Sequence, residues 1–334
     1  MKTKIFILPL LFVLFLSGCR EQTFKKTKFL INSPCEITII DANSYKAKKA
    51  LKESFNEIEK VDKLCGYGLD SKVSEINLNA GKQPITVNNE LFKIIEESIR
   101  IGDLTEGAFD ITVGPLVSLW GFDTDKPSLP LKNKIISVLP LVNYKNIKLD
   151  KEKLTVYLAK PGMKIDLGGI AQGYAVKMAS KKLKEYGIKK ALINISGDIM
   201  VIGEALENNP WKIGVQHPRK QNELLTILEY KDKSIVTSGD YEKYFFSNGV
   251  RYHHIFVPQT GYPAKGTIST TIITDDPMLA DALSTAIFVL GAKKGMAIVN
   301  KIRNTEAIII SETNDGTIIT VSSELEKTNL KFNY

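Results

Sequence analysis

Cysteine is scarce: the 334 residues hold three, Cys19, Cys35 and Cys65, and the first of these closes an apolar N-terminal run. The remaining two can form at most one disulfide, which excludes a cystine framework, and a chain of this length needs no such staple; Cys35 and Cys65 are expected as buried free thiols. A dense Lys/Arg run is also missing. The 45 basic and 37 acidic residues give a formal charge of +8, but the lysines are scattered, with no basic stripe interleaved with aromatics. That pattern describes a solvated lysine-rich surface and argues against a nucleic-acid partner. Neither familiar phosphate loop is present, since Gly168, Gly169 and Gly173 give G-G-x-x-x-G rather than G-x-G-x-x-G, and no Lys-Ser/Thr follows.

What is there suffices for a substantial core: 43% of the residues are hydrophobic, enough for one large domain or two intimate ones. Lys2 and Lys4 precede an apolar run from Ile5 to Leu16, too short to span a bilayer in the mature protein and of the right length for a secretory signal. Leu16-Ser17-Gly18-Cys19 resembles a bacterial lipobox, which implies removal of residues 1–18, lipid on Cys19, export, and anchorage to a bacterial membrane facing the periplasm or the cell exterior. Residues 19–29 read as a polar tether and 30–334 as the folded part.

Helical spacing recurs at Leu51, Phe55, Ile58 and Val61, and at Leu91, Ile94, Ile95, Ser98 and Ile99 after the cap candidates Asn88 and Asn89. The runs "NIKLD" and "LTVYLA" predict a hairpin, and "ALINI", "WKIGV", "LLTILEY", "KYFF" and "TISTTIIT" predict antiparallel strands. Two helices, "PMLADALSTAIFVLG" and "AKKGMAIVNKI", follow. Strands segregated from helices indicate an α+β fold with a sizeable antiparallel sheet.

Three stretches carry chemistry. In "DLGGIAQGYAV" (166–176) glycines allow close backbone approach to a ligand, and the first turn of the helix they open attracts an anion; a tight strand-to-helix turn built for packing alone has the same spelling. In the helix after Asp276-Pro277, Asp281, Ser284 and Thr285 share one face of an otherwise apolar surface, a hard-oxygen set suited to Mg²⁺, although a salt-bridged or neutral Asp281 with Thr285 bonding its own helix is the alternative. In "RYHHIFVPQTGYPA" (251–264), His253 and His254 point to opposite faces of a strand, so only one can serve a given site.

Together with "TEGAFDITVGPLVSLWGF" (105–122) and "TSGDYEKYF" (237–245), these stretches resemble the ApbE family of flavin transferases over nearly all of the mature chain. The resemblance implies a T-fold-like α+β architecture with an antiparallel sheet packed against helices. It implies FAD as substrate, Mg²⁺ as cofactor, and transfer of FMN through its phosphate to a Ser/Thr hydroxyl of an acceptor protein with release of AMP. By position it implies flavin contacts at Ile31, Tyr67, Ala108, Phe109, Asp110, Asp166, Gln172 and Ile255, and metal contacts at Gly169 (through its carbonyl), Asp281, Ser284 and Thr285. His254 is the implied aid to proton transfer, with Asp166 or Asp240 as carboxylate alternatives. Val257 departs from the family pattern, standing where Asp or Asn is usual. Hydrolysis of FAD to FMN and AMP, or a non-catalytic FAD carrier, are the other functions this site could serve.

Overall fold

The structure is a computed structural model and describes residues 21–333 apart from 67, 69, 70, 221, 315 and 329. The signal segment, Cys19 and Tyr67 therefore lie outside the described residues. Eight strands form one sheet: β1 (Gln22–Leu30), β2 (Ser33–Asp41), β3 (Ala191–Ile195), β4 (Asp198–Ile202), β5 (Ser234–Gly239), β6 (Thr267–Thr274), β7 (Glu306–Thr313) and β8 (Gly316–Val321). Their order across the sheet is their order along the chain. Every neighbouring pair is antiparallel, so the expected α+β class with an antiparallel sheet holds.

The segment read as a tether is instead β1 from Gln22 onward, paired with β2 from Gln22↔Asp41 to Leu30↔Ser33. Its Lys- and Thr-rich spelling looks like solvated chain because an edge strand keeps one face in water, and charge on such a strand also discourages pairing with another molecule. Phe24 and Leu30 turn inward against the core. The first third of the chain thus begins with a hairpin before it becomes helical.

Four helices build the site and its support: α1 (Ser44–Cys65), α2 (Asn89–Leu104), α3 (Gly168–Glu185) and α4 (Pro277–Val299). Helices α1, α3 and α4 cover one face of the sheet, where Phe55 and Ile58 of α1 meet Ala175 and Ala179 of α3 above Ile37, Ile39 and Ile193. On the opposite face Ile235, Ile273, Ile308 and Ile310 pack under a two-stranded ribbon (Trp211–Gln216 with Leu224–Tyr230) that contributes Ile213, Val215, Leu225 and Leu228. Because β6 is buried on both faces, its threonines and isoleucines are all inside. The predicted pair of closing helices is a single span, α4, broken at Gly291, where φ is +72°. Pro277 opens it and Asp276 caps it, accepting from Met278 N at 3.0 Å. Cys35 and Cys65 are free and buried, and burial pushes their thiols up to about 11 and about 12.

Candidate functional site

The amino-terminal turn of α3 and the first turns of α4 form the centre of the site. Leu167 supplies no side-chain cap to α3, and Asp166 Oδ1 takes over by accepting from Gly168 N at 2.8 Å. At Gly169 the backbone leaves helical angles (φ −89°, ψ 17°). The Gly173 N–H donates across to Asp281 Oδ2 at 2.8 Å. The two helices touch so closely that a Cβ on Gly173 would lie 2.4 Å from Pro277 O and 2.6 Å from Asp281 Cβ. A Cβ on Gly169 would sit 3.4 Å from both Thr285 Oγ1 and the Phe109 ring. Asp166, Gly169, Phe109, Asp281 and Thr285 are therefore brought together around the start of α3.

Ser284, the third residue expected on the metal face of α4, is tied into the protein through its side chain. Its hydroxyl is 0% exposed, donates to Asp281 O at 2.8 Å and pairs with Ser238 Oγ of β5 at 2.7 Å, so it braces the helix. Ser238 also lies 3.5 Å from Thr285 Oγ1.

The positions expected to contact flavin fall into two kinds. Ile31 and Asn32 form the two-residue turn between β1 and β2, both left-handed at φ +51°, and Gln172 Nε2 ties this turn to α3 by donating to Ser33 Oγ at 3.0 Å. A left-handed, β-branched Ile31 is a strained residue of the sort that gathers at ligand sites. By contrast, Asp110 is spent within the protein: Oδ1 accepts from Thr112 N (2.7 Å) and Thr112 Oγ1 (2.6 Å), and Oδ2 from Tyr144 N (2.9 Å). Its burial raises its pKa, and its carboxylate serves to hold the loop that carries buried Ala108 and Phe109. Ile255 is likewise internal, 4% exposed, with N donating to His253 Nδ1 and O accepting from Ala264 N.

The two histidines separate as their alternation requires. His253 is 5% exposed, its Nε2 is 2.9 Å from Ala264 O, and its ring meets the edge of Phe288, one turn beyond Thr285. It is structural and seats the 255–264 loop on α4. His254 lies on the other side, half-buried, with Nδ1 3.2 Å from Lys243 O. That contact assigns the proton to Nδ1 and leaves the Nε2 lone pair as the acceptor. Burial, with Lys243 nearby, pushes the imidazole down to about 4. The loop is locked from behind by Trp120, whose Nε1 donates to Gly261 O at 2.9 Å inside a cluster with Phe245, Tyr252, Phe256 and Tyr262. Val257 holds the loop by backbone bonds, its N donating to Tyr262 O and its O accepting from Thr260 N and Gly261 N. Asp240, one of the two alternative proton acceptors, is paired bidentately with Arg219 at 2.7 Å and approached by Arg251 at 3.3 Å, so both its oxygens are engaged.

One residue at the centre escaped sequence reasoning. Asp198, the first residue of β4, is 6% exposed, and β4 packs against α4, where the Asp198 and Asp281 carboxyls act on each other. Burial raises the pKa of both, that of Asp281 to about 7. Two buried acids without a cation at hand fit a divalent metal: Asp281, the Thr285 hydroxyl and the backbone at Gly169 supply hard oxygens of the type Mg²⁺ prefers. No group of three or more His, Cys, Asp or Glu that could hold a metal ion is found among the described residues.

The chain is similar to known proteins over most of its length. A relative named FAD:protein FMN transferase from Haemophilus influenzae is 32% identical over 94% of this chain and 91% of its own length. Another of that name from Vibrio cholerae is 33% identical over 76% and 77%. Among solved structures, the ApbE protein of Thermotoga maritima superposes with a TM-score of 0.83 at 33% identity, covering 91% of this chain and 98% of that one. The flavin transferase ApbE of Vibrio cholerae gives 0.82 at 30% identity, covering 92% and 99%. The family model described as ApbE family matches residues 31–309, a span that contains the strained turn at Ile31, the α3 and α4 helix contact and the His254 loop, and the chain belongs to that family.

Proposed function

We propose that the protein is an FAD:protein FMN transferase, a Mg²⁺-dependent enzyme that moves FMN from FAD to a Ser/Thr hydroxyl of an exported or membrane protein. The observation that carries this reading is the meeting of an anion-attracting helix start at Asp166–Gly169 with a buried, uncompensated Asp281, in a chain related over most of its length to proteins of that name. The acceptor oxygen attacks the phosphorus on the FMN side of the pyrophosphate, a new P–O bond forms, and the bridging oxygen departs with AMP. Gly169, Asp281 and Thr285 would hold the cation, which supplies neutralisation of the pyrophosphate charge and so a better leaving group. Asp166 holds the turn that faces the phosphates, and Ile31, Gln172 and the Phe109 loop shape the flavin end.

The hydroxyl proton goes to Nε2 of His254. At neutral pH this imidazole is in its acceptor form, and the arrival of an anionic pyrophosphate raises its basicity. Replacing His254 by Gln is expected to lower FMN transfer about 100-fold with FAD affinity unchanged. Transfer rates and a flavin-fluorescence titration measure the two quantities. A variant with weaker FAD binding and an intact rate at saturation would make His254 a binding residue.

The function itself is tested by mixing protein, FAD and Mg²⁺ with and without an acceptor and measuring AMP. Release that requires acceptor supports transfer; release in its absence supports hydrolysis; no release in either mixture supports a carrier. The lipobox-like Cys19 supports a membrane-anchored, exported enzyme. A Cys19→Ala variant is expected to move from the membrane fraction to the soluble fraction with flavin chemistry intact, since stable anchorage requires the lipid. Retention of the variant in salt-washed membranes would rule the anchor out.

A further inference from the structure

Asp198 has no part in the chemistry assigned to the other residues of the site, and its position demands one. It follows a two-residue turn, Ser196-Gly197, in which both residues are left-handed (φ +52° and +102°) and Asn194 Oδ1 accepts from Gly197 N at 2.9 Å. The turn joins β3 to β4 at the register pair Ile195↔Asp198, so the carboxylate is fixed by a rigid hairpin. Its Oδ2 is buried and has no hydrogen-bond donor, one of only two such side-chain atoms among the described residues. Strand β4 packs against α4, and the charges that act on this carboxyl, Asp281 of α4 and Glu242, are both acidic. Buried carboxylates persist when paired, protonated or bound to a metal. No ion pair among the described residues includes Asp198 or Asp281.

We propose that Asp198 is a second carboxylate of the cation site, facing the same divalent ion as Asp281 from the sheet side. This rests on the reading of Asp281 as a metal ligand. The helix α4 brings Asp281 and Thr285 from one side, the α3 turn brings Gly169 from another, and β4 closes the set from beneath. Two carboxylates balance a divalent charge, and this gives the orphaned Oδ2 a partner.

The test is equilibrium binding of Mn²⁺ alone, followed by the paramagnetic signal of the free ion, to the wild-type protein and to Asp198→Asn and Asp198→Ser variants. Asp281→Asn serves as the reference for loss of a direct ligand. Both Asp198 variants are expected to fold, judged by circular dichroism, because each removes one member of an uncompensated acid pair. Mn²⁺ affinity should fall about 10–100-fold, and the rise in melting temperature on adding Mn²⁺ should shrink with it. Wild-type affinity in both variants would overturn the proposal, as would failure of both to fold, which would mark Asp198 as a structural acid. Absence of Mn²⁺ binding by the wild-type protein would instead overturn the cation reading of the whole site.

Discussion

Replacement of Asp281 by Asn is expected to slow AMP release from FAD by about 1000-fold while leaving the protein folded. Asparagine keeps an oxygen to accept the Gly173 N–H, now bonded to Asp281 Oδ2 at 2.8 Å, so the α3 and α4 contact survives. What it removes is charge. With a single anionic ligand gone, the Mg²⁺ needed for half-maximal rate should rise at least about tenfold, since hard cations draw most of their affinity from carboxylates. Stability should change in a pH-dependent way with a definite sign. Burial raises the Asp281 carboxyl from an ordinary 3.8 to about 7 in the folded protein. Between those values the folded state binds more protons than the unfolded one, so this group's contribution is present below about 4 and is lost as pH rises through about 7. Metal-free Asp281→Asn should therefore gain on the wild type between pH 5 and pH 8 in thermal melts. A variant that releases AMP with unchanged Mg²⁺ dependence would reduce Asp281 to a buried core acid.

That residue was legible because a helix writes its faces into sequence. Asp281 and Thr285 stand one turn apart in a segment apolar nearly all round, and periodicity alone places the two polar groups on one face of it, Asp281 buried. The histidine pair was legible for the same reason, since strand alternation allows one member per site, and the structure gives His253 to the core. Asp198 was not legible. After Ser-Gly it spells an ordinary hairpin, and its meaning arises only when β4 passes beneath α4 and sets it against an acid far along the chain. Asp110 and Ser284 show another limit: that their side-chain oxygens bond Thr112, Tyr144 and Ser238 is fixed by the folded neighbours and not by local spelling. Strand β1 was misread because an edge strand with lysines and threonines differs from a solvated tether only in having a partner, and partners are not written locally.

A second large effect is expected from the mildest of substitutions, Gly173→Ala. In an exposed helix this exchange would stabilise by about 1 kcal/mol through helix propensity. Here the added methyl would meet Pro277 O at 2.4 Å, Asp281 Cβ at 2.6 Å and Met278 Cα at 3.0 Å. Two of these are backbone atoms and the third is fixed to backbone, so none can swing aside as the end of a flexible side chain would. The helices must part, and overpacking of this kind costs about 1–3 kcal/mol, at the upper end where backbone has to move. The clash therefore outweighs the propensity gain, and the melting temperature should fall by a few degrees, on the order of 5 °C. Function should suffer more than stability. Separation of α3 from α4 stretches the Gly173 N–H bond to Asp281 and moves Thr285 away from Gly169, and a displacement of about 1 Å in a catalytic constellation costs on the order of 100-fold in rate. The variant should accordingly fold, bind Mn²⁺ weakly and release little AMP, and because it acts through Asp281, combining it with Asp281→Asn should add almost nothing to the rate loss. Full additivity in that double variant, or wild-type melting and metal dependence in Gly173→Ala, would mean that the close approach of the two helices does not set the site.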